Sequence, residues 1–261
     1  MPVVDTHCHA GPNWFEPEEL LLFQMNRNGV DRAVLVQYGG NYALNGHTLD
    51  CVRRHPALFC AIVLVDTSRP DAPAELERWA KAGAVGVRLR PETRSPGRDP
   101  LAIWRMADEL GLAVSLLGAL EAFASDEFYT LAQSFPSLKL VVEHLASVGA
   151  GAKSPYDTYR KALALAKLPN TYIKIPGLGE ICPRPVPFTE PVFKDVPPLI
   201  KMAYEAFGPR RMMWGSDYPP VSGREGYANA LNWTREHLAA FASHDDREWI
   251  MGKTALSVFR F

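Results

Sequence analysis

The sequence predicts an α/β protein whose architecture is a single (β/α)8 TIM barrel, and three observations lead to that prediction. Short apolar runs rich in Val, Ile and Leu recur along the chain, and amphipathic segments separate them. The runs are nearly continuous, which is typical of parallel strands that are buried on both faces. Eight of them fit into 261 residues, and α/β barrels of about this length form one domain. We therefore expect one domain over residues 1–261.

The eight predicted strands follow one another with a helical segment after each. The strands cover residues 2–7, 31–37, 58–65, 84–90, 112–118, 138–144, 170–176 and 210–216. The helices are predicted at 16–28, 42–55, 72–82, 100–110, 125–135, 155–167, 195–207 and 224–242, with an extra C-terminal helix at 245–258. The first helix has Pro17 and acidic residues at its start and Gly29 after its end, as helix termini prefer. The pattern over 42–55 is the weakest of the set.

The main alternative fold is a doubly wound open sheet. That fold usually carries a glycine-rich phosphate turn after its first strand, but here the first strand is followed by HCHAGPNW, without GxGxxG. The longest irregular segment is 177–198, which holds six prolines and follows the seventh strand. Loops after barrel strands lie at the end where active sites are built, so this segment is expected either as a lid or as a rigid surface excursion.

Composition and charge exclude several classes of function. The net charge is −1, from 28 basic and 29 acidic residues, so we expect no nucleic-acid partner. The apolar runs are far shorter than the roughly 20 residues that span a membrane, so we expect no membrane partner. The four cysteines form no CxxC pair, and the chain begins MPVVDTHCHAG without a signal-peptide pattern. We expect free thiols, a cytoplasmic location and a small-molecule substrate.

The clearest candidate site is the segment DTHCH at the end of the first strand. Side chains alternate along a strand, so His7 and His9 should share a face, together with Asp5. Two imidazoles on one face can bind a single divalent ion. Cys8 should point to the opposite face, and it is not counted as a ligand.

Two further polar residues end apolar strands. His144 ends the sixth strand in LVVEHLA, and Asp217 follows the eighth in MMWGSDYP. The carboxyl ends of barrel strands meet at one end of the barrel, so His7, His9, His144 and Asp217 should converge there. Unpaired ionisable groups in such a place cost several kcal/mol unless a metal or a partner compensates them. The set therefore predicts a functional site.

Four other residues are candidates for substrate binding. Arg88 and Arg90 lie two residues apart on the fourth strand, and arginine forks match carboxylates, which predicts an anionic substrate. The alternative is that one of them pairs with a buried acid such as Glu143. Trp14 and Tyr218 lie beside site residues and are predicted to wall the pocket, with packing at a strand end as the alternative. Lys174, on the seventh strand, is left undecided.

The motifs DTHCH, EH on the sixth strand and WGSDYP resemble the amidohydrolase superfamily of metal-dependent barrels. The similarity is strongest to its amidohydrolase-2 branch, which includes lactonases and non-oxidative decarboxylases. GVRLR at 86–90, NTYIKIPG at 170–177 and IMGKTALSVF at 250–259 also match. The resemblance covers the chain from residue 3 to residue 259.

The resemblance implies one divalent metal ion, zinc before manganese, held by His7, His9 and Asp217 with His144 beside it. It departs from the two-metal members of the superfamily, because the fourth strand offers arginines in place of a bridging ligand and the fifth has no histidine. Some lactonases with this pattern use no metal, so metal-free activity stays open. Barrels of this kind are often homodimers, which is the assembly that the resemblance implies.

The activity implied by the resemblance is hydrolysis of a small, carboxylated lactone or a related ester or amide. Asp217 would act as general base, and His144 would polarise the carbonyl group under attack. A non-oxidative decarboxylase of an aromatic or muconate-type acid is the alternative. A metal-binding barrel without catalytic activity is the remote third interpretation.

Overall fold

The computed structural model describes residues 2–12, 16–40, 42–184, 192–193 and 195–261. Eight parallel strands pair in chain order within one sheet, which confirms the predicted (β/α)8 barrel. The strands are β1 (Val4–Cys8), β2 (Arg32–Val36), β3 (Phe59–Val63), β4 (Gly86–Leu89), β5 (Ala113–Leu116), β6 (Lys139–Val142), β7 (Thr171–Ile175) and β8 (Met212–Trp214).

Helices follow the strands around the outside of the barrel. Those in the described residues are α1 (Glu18–Asn28), α2 (Asn45–Arg54), α3 (Ala72–Lys81), α4 (Ala102–Glu109), α5 (Leu120–Phe123), α6 (Asp126–Ser134), α7 (His144–Ser147), α8 (Asp157–Ala162), α9 (Leu178–Ile181), α10 (Leu199–Phe207), α11 (Tyr227–Ala239), α12 (His244–Glu248) and α13 (Thr254–Val258). The predicted C-terminal helix is thus α12 and α13, joined by a π-helical turn at Trp249–Lys253. Among these residues, no helix is both long and apolar enough to cross a membrane.

The strands are shorter than the apolar runs that predicted them. The run 58–65 contains β3, Phe59–Val63, and Val65 beyond it is buried without belonging to the strand. Apolar character reports burial, and burial continues into the connecting segments where strand pairing has ended. The helix predicted at 195–207 begins only at Leu199, directly after Pro198.

Hydrogen bonds between the end of β1 and the residues after β8 close the barrel. The Asp217 amide donates to the His7 carbonyl at 2.7 Å, and the His9 amide donates to the Tyr218 carbonyl at 2.8 Å. At the same seam, the carboxylate of Asp5 accepts from the Ser216 amide at 2.8 Å and from the Ser216 hydroxyl at 2.6 Å.

The expectation that Asp5 joins the two histidines on one face is wrong. The register between β1 and β2 shifts between Asp5 and Cys8, so simple two-residue alternation does not hold along β1. The Asp5 carboxylate is occupied by Ser216 and by the His7 amide, which donates at 3.2 Å. Asp5 therefore closes the seam of the barrel and does not belong to the site.

Apolar and polar side chains are both buried among the strands. A small buried cluster joins apolar strand residues to residues of the C-terminal helix, namely Val4, Val34, Val36, Cys60, Ile62, Ala113, Val141, Met213, Ala255, Val258 and Phe259. The polar and charged interior residues lie toward the carboxyl end of the strands, which we call the barrel mouth. Barrel active sites form at that end.

The seam leaves no room for a side chain at Gly215. A Cβ added there would lie 2.6 Å from Cβ and 2.9 Å from the amide nitrogen of His7. We expect Gly215→Ala to lower the free energy of unfolding by about 1–3 kcal/mol, because overpacking forces the backbone to shift. Urea denaturation followed by circular dichroism measures this change.

Gly46→Ala is the matched control, because a Cβ added at this position on α2 meets nothing within 4 Å. Alanine is favoured over glycine inside helices, so this variant should gain about 0.5–1 kcal/mol. Equal stability of Gly215→Ala and the wild type would contradict the proposed close packing at the seam.

Candidate active site

Four side chains from three strand ends meet at the barrel mouth. The Nε2 atom of His9 lies 3.4 Å from Oδ1 of Asp217, and Nε2 of His7 lies 3.8 Å from the same oxygen. The ring of His7 is centred 5.0 Å from that of His9 and 4.5 Å from that of His144. The structure thus brings together the four residues that the sequence singled out.

Unusual backbone conformations present two of these side chains. His144, Leu145, Ala146 and Ser147 all have left-handed φ angles, between 49° and 58°, and Asp217 has φ 57°. Left-handed geometry costs roughly 1–2 kcal/mol per residue when the residue is not glycine. Such cost is typical of functional sites, where the surrounding structure holds the strained segment in place.

The donor set fits a divalent cation. One ligand atom each from His7, His9 and Asp217 lies within 4.8 Å of the others, and Nε2 of His7 is buried without a hydrogen-bond partner in the described residues. Nδ1 of His9 is 2.7 Å from the Val36 carbonyl and so donates to it, which leaves Nε2 of the ring facing Asp217.

The protonation states of His7 and Asp217 also suit the binding of a divalent cation. Burial, followed by the positive charge of Lys174, lowers the pKa of His7 well below its usual value, so the ring is neutral, as ligation requires. Burial would raise the pKa of Asp217, but the hydrogen bond to His9 and the charges of His144, His9 and Arg224 bring it below the ordinary value. Arg224 donates to Oδ2 of Asp217 at 3.0 Å. Asp217 is therefore a carboxylate at neutral pH.

His144 is oriented by a residue from the loop after β7. Its Nδ1 atom lies 2.8 Å from Oε1 of Glu180, on α9. Burial alone would lower the pKa of His144, but the hydrogen bond to Glu180 and the nearby carboxylates raise it above its usual value. The described part of the proline-rich segment thus contributes to the mouth, while residues 185–191 and 194 lie outside the described residues.

A buried ionic layer supports the site from below. The carboxylate of Glu143 accepts from Arg88 at 2.7 Å and from Ser115 at 2.5 Å, and Nζ of Lys174 lies 3.8 Å away. Burial would raise the pKa of Glu143, but the charges of Arg88 and Lys174 hold it at about 2. Burial lowers the pKa of Lys174 to about 8. Lys174 also approaches Nδ1 of His7, at 3.2 Å.

The predicted substrate-binding residues occupy different environments. Arg88 pairs with Glu143, which was the alternative interpretation for the two arginines. Arg90 lies just after β4, with its side chain 64 % exposed and 4.0 Å from Glu92. Tyr218 is buried, and its hydroxyl donates to Oε2 of Glu16 at 2.8 Å. Trp14 lies outside the described residues.

The sequence prediction assigned no function to four residues of the site: Glu143, named only as a possible partner of an arginine, Lys174, left undecided, Glu180 and Arg224. The first two left a trace, because each is a charged residue within or directly after an apolar strand. A buried charge needs a partner, so such a residue in a strand indicates a polar interior. Glu180, on the short helix α9, and Arg224 both lie in connections between strands and helices of the barrel, where charged residues are ordinary.

The ionic layer predicts an acid-sensitive contribution to stability. The pKa of Glu143 is about 2 in the folded protein and 4.5 ordinarily, so its stabilisation is fully present above pH 4.5 and is lost as the pH falls toward 2. Glu143→Gln leaves Arg88 and Lys174 without their counter-charge. We expect it to lower the free energy of unfolding by about 3–5 kcal/mol at neutral pH and to flatten the pH dependence below 4.5.

Glu127→Gln serves as the comparison for urea unfolding across this pH range. Glu127 pairs with Arg94 on the surface, and its side chain is 78 % exposed. A surface pair is worth about 0–1 kcal/mol, so this variant should stay close to the wild type. If Glu143→Gln kept the wild-type loss of unfolding free energy at acid pH, the Glu143 carboxylate would not be its cause.

Comparison with curated proteins finds relatives named for lactone chemistry. A 4-sulfomuconolactone hydrolase from Hydrogenophaga intermedia is 28% identical over 226 residues, which cover 84% of this chain and 69% of that protein. An L-fucono-1,5-lactonase from Burkholderia ambifaria is 26% identical over 268 residues, which cover 96% of this chain and 85% of the relative.

The fold and the family are shown by two further comparisons. An amidohydrolase from Burkholderia multivorans, solved with bound zinc, superposes with a TM-score of 0.82 at 16% identity, over 99% of each chain. At that identity the likeness establishes the fold alone. The Amidohydrolase family matches residues 4–261, nearly the whole chain. This protein therefore belongs to the Amidohydrolase family of enzymes.

Proposed function

We propose that this enzyme hydrolyses a small, carboxylated lactone, using a divalent ion held at the barrel mouth. The observation that carries the proposal is the convergence of three imidazoles and one ionised carboxylate at a single point. That group of side chains can activate water and polarise a carbonyl group, which is what lactone hydrolysis requires. The names of the two curated relatives support the lactone as substrate class.

The residues that would hold the ion are His7, His9 and Asp217, with His144 adjacent. Zinc is our first choice, and manganese the second, because imidazole and carboxylate ligands accept both ions. When bound, the ion would lower the pKa of a water molecule and draw electron density from the carbonyl oxygen. Coordination by Nε2 of His7 requires hydrogen on Nδ1, which faces Oε1 of Glu143 at 3.6 Å. Nζ of Lys174, 3.2 Å from Nδ1, can accept this hydrogen only as the neutral amine.

Asp217 is the general base in this proposal. Its carboxylate is ionised, and Arg224 holds Oδ2, so Oδ1 faces the histidines and can accept a proton from the attacking water. The oxygen of that water forms a bond to the carbonyl carbon. The ring carbon–oxygen bond then breaks, and Asp217 returns the proton to the departing alkoxide. The product is a hydroxy acid.

His144 is the group that polarises the substrate carbonyl. Glu180 accepts a hydrogen bond from Nδ1, which fixes the ring and directs Nε2 away from α9. The raised pKa of His144 increases its positively charged fraction, in which Nε2 is a donor. A donor placed at the oxygen that gains negative charge stabilises the transition state.

For recognition of the substrate carboxylate we propose Arg90 ahead of Arg88. Glu143 already neutralises Arg88 inside the barrel, whereas Arg90 lies at the rim with most of its side chain exposed. A guanidinium at the rim can bind a carboxylate bidentately without a large desolvation cost. Trp14 and Tyr218 keep their predicted role as walls of the pocket.

The test is a panel of carboxylated lactones and hydroxybenzoates, assayed both for acid release by ring opening and for carbon dioxide. We expect ring opening of at least one lactone, with no carbon dioxide. Asp217→Asn cannot accept the proton and should lose about 10²–10⁴-fold in kcat. Asp99→Asn, which changes an exposed partner of Arg105, should keep wild-type rates.

Two outcomes would overturn the proposal. Release of carbon dioxide from a hydroxybenzoate without ring opening of any lactone would identify a decarboxylase. Full activity of Asp217→Asn would exclude the proposed base.

A second prediction concerns Glu180, which touches His144 and not the substrate. Glu180→Gln keeps the shape of the side chain but loses the charge that holds the ring and raises its pKa. Loss of an outer partner of this kind typically costs about 10–100-fold, and we expect it in kcat with KM nearly unchanged. Glu121→Gln, on the exposed face of α5, is the control. A change confined to KM would assign Glu180 to substrate binding.

A further inference from the structure

A second group of metal-binding side chains lies outside the barrel mouth, between two helices. Glu18 is the first residue of α1, and His47 and Cys51 lie on α2. We refer to these three residues as the α1–α2 cluster. Cys51 is fully buried, Glu18 is 4 % exposed, and His47 is half-buried. No step of the proposed reaction uses any of them.

The spacing on α2 places two of the donors together. His47 and Cys51 are four residues apart, so they lie one turn apart on one face of the helix. Nε2 of His47 is 3.7 Å from Sγ of Cys51, and Oε2 of Glu18 is 3.0 Å from the same sulfur. One ligand atom from each residue lies within 4.8 Å of the others. Donor atoms around a tetrahedral zinc ion, with bonds of about 2.0–2.3 Å, are separated by roughly 3.3–3.8 Å.

We propose that Glu18, His47 and Cys51 form a second metal site, which takes one zinc-class divalent ion and is separate from the site at the barrel mouth. Sulfur, imidazole nitrogen and a carboxylate oxygen are the donors that this class of ion prefers. On binding, the ion replaces the thiol proton of Cys51, and that proton passes to solvent. A water molecule completes the coordination.

Arg54 sets the affinity of this site. Its Nε atom donates to Oε1 of Glu18 at 2.6 Å, and its side chain is 48 % exposed. This contact leaves Oε2, the oxygen nearest the sulfur, as the ligand atom. The positive charge opposes a cation, and a second nitrogen of the guanidinium donates to Sγ of Cys51 at 3.5 Å, so Arg54 competes with the ion. Removal of Arg54 should therefore tighten metal binding.

The site would tie the start of α1 to α2 and thereby to the barrel mouth. Glu16, two residues before Glu18, accepts the hydroxyl of Tyr218, and Tyr218 follows Asp217. An ion at the α1–α2 cluster would fix the first turn of α1. The ion would thereby restrict the motion of the segment that carries Glu16.

The experiment titrates the metal-free full-length protein with Co²⁺ and records the near-ultraviolet absorption that arises from thiolate-to-cobalt charge transfer. We expect this band in the wild type and two bound ions per chain. Cys51→Ser should lack the band and bind one ion. His47→Gln should bind the second ion more weakly, by more than the roughly 10–100-fold that loss of an outer partner costs.

Three controls separate the two sites. Cys182→Ser changes another buried cysteine and should keep the band. His9→Ala should keep the band while it loses the other ion, since the donors at the barrel mouth contain no sulfur. Arg54→Gln should strengthen the band at limiting Co²⁺.

The proposal is overturned if the wild type shows no charge-transfer band or if Cys51→Ser retains it. In either case the three residues form an ion pair with Arg54 and hydrogen bonds only. Because His47→Gln alters a half-buried side chain, it tests the site even if Cys51→Ser does not fold. Failure of this test leaves the proposed lactonase activity untouched.

Discussion

The fully buried carboxylate of Glu143 is the constraint on which the site depends. It neutralises Arg88 and Lys174, which would otherwise repel each other in a medium of low dielectric constant. Lys174 in turn lies against His7, and its charge adds to burial in lowering the pKa of that ring. The buried charges of Glu143, Arg88 and Lys174 therefore influence the protonation state of the residues at the barrel mouth that would contact the substrate.

The barrel could be read from the sequence because its strands are buried on both faces. The run around Phe59–Val63, for example, does not alternate between apolar and polar residues, as a strand with one face in solvent would. The boundaries could not be read, since Val65 is as apolar as the strand and just as buried. The shift of register after Asp5 was also hidden, because a bulge depends on partners in β2 and not on local composition.

The site residues at the ends of strands could be predicted from the sequence, but those in the segments that follow the strands could not. His7, His9, His144 and Asp217 follow from position alone, since the carboxyl ends of parallel strands must meet. Only the structure shows that Arg88 and Arg90 occupy different environments. Arg88 lies within β4 and pairs with the buried Glu143, whereas Arg90 lies just beyond the end of β4 with an exposed side chain. Glu180, on α9, and Arg224, after β8, contact His144 and Asp217 only because of how the chain folds after its strands, which local sequence does not show.

The left-handed turn at His144–Ser147 has a consequence for how stability and activity are linked. None of its residues is β-branched, so each tolerates this geometry. Each nevertheless has a higher conformational energy in the left-handed region than glycine has. Glycine at Ala146 would relieve part of the cost and also remove the stiffness that keeps His144 aimed at the mouth. The turn is a place where a more stable protein would be a less well ordered catalyst, so selection for thermal resistance and selection for turnover should favour opposite residues.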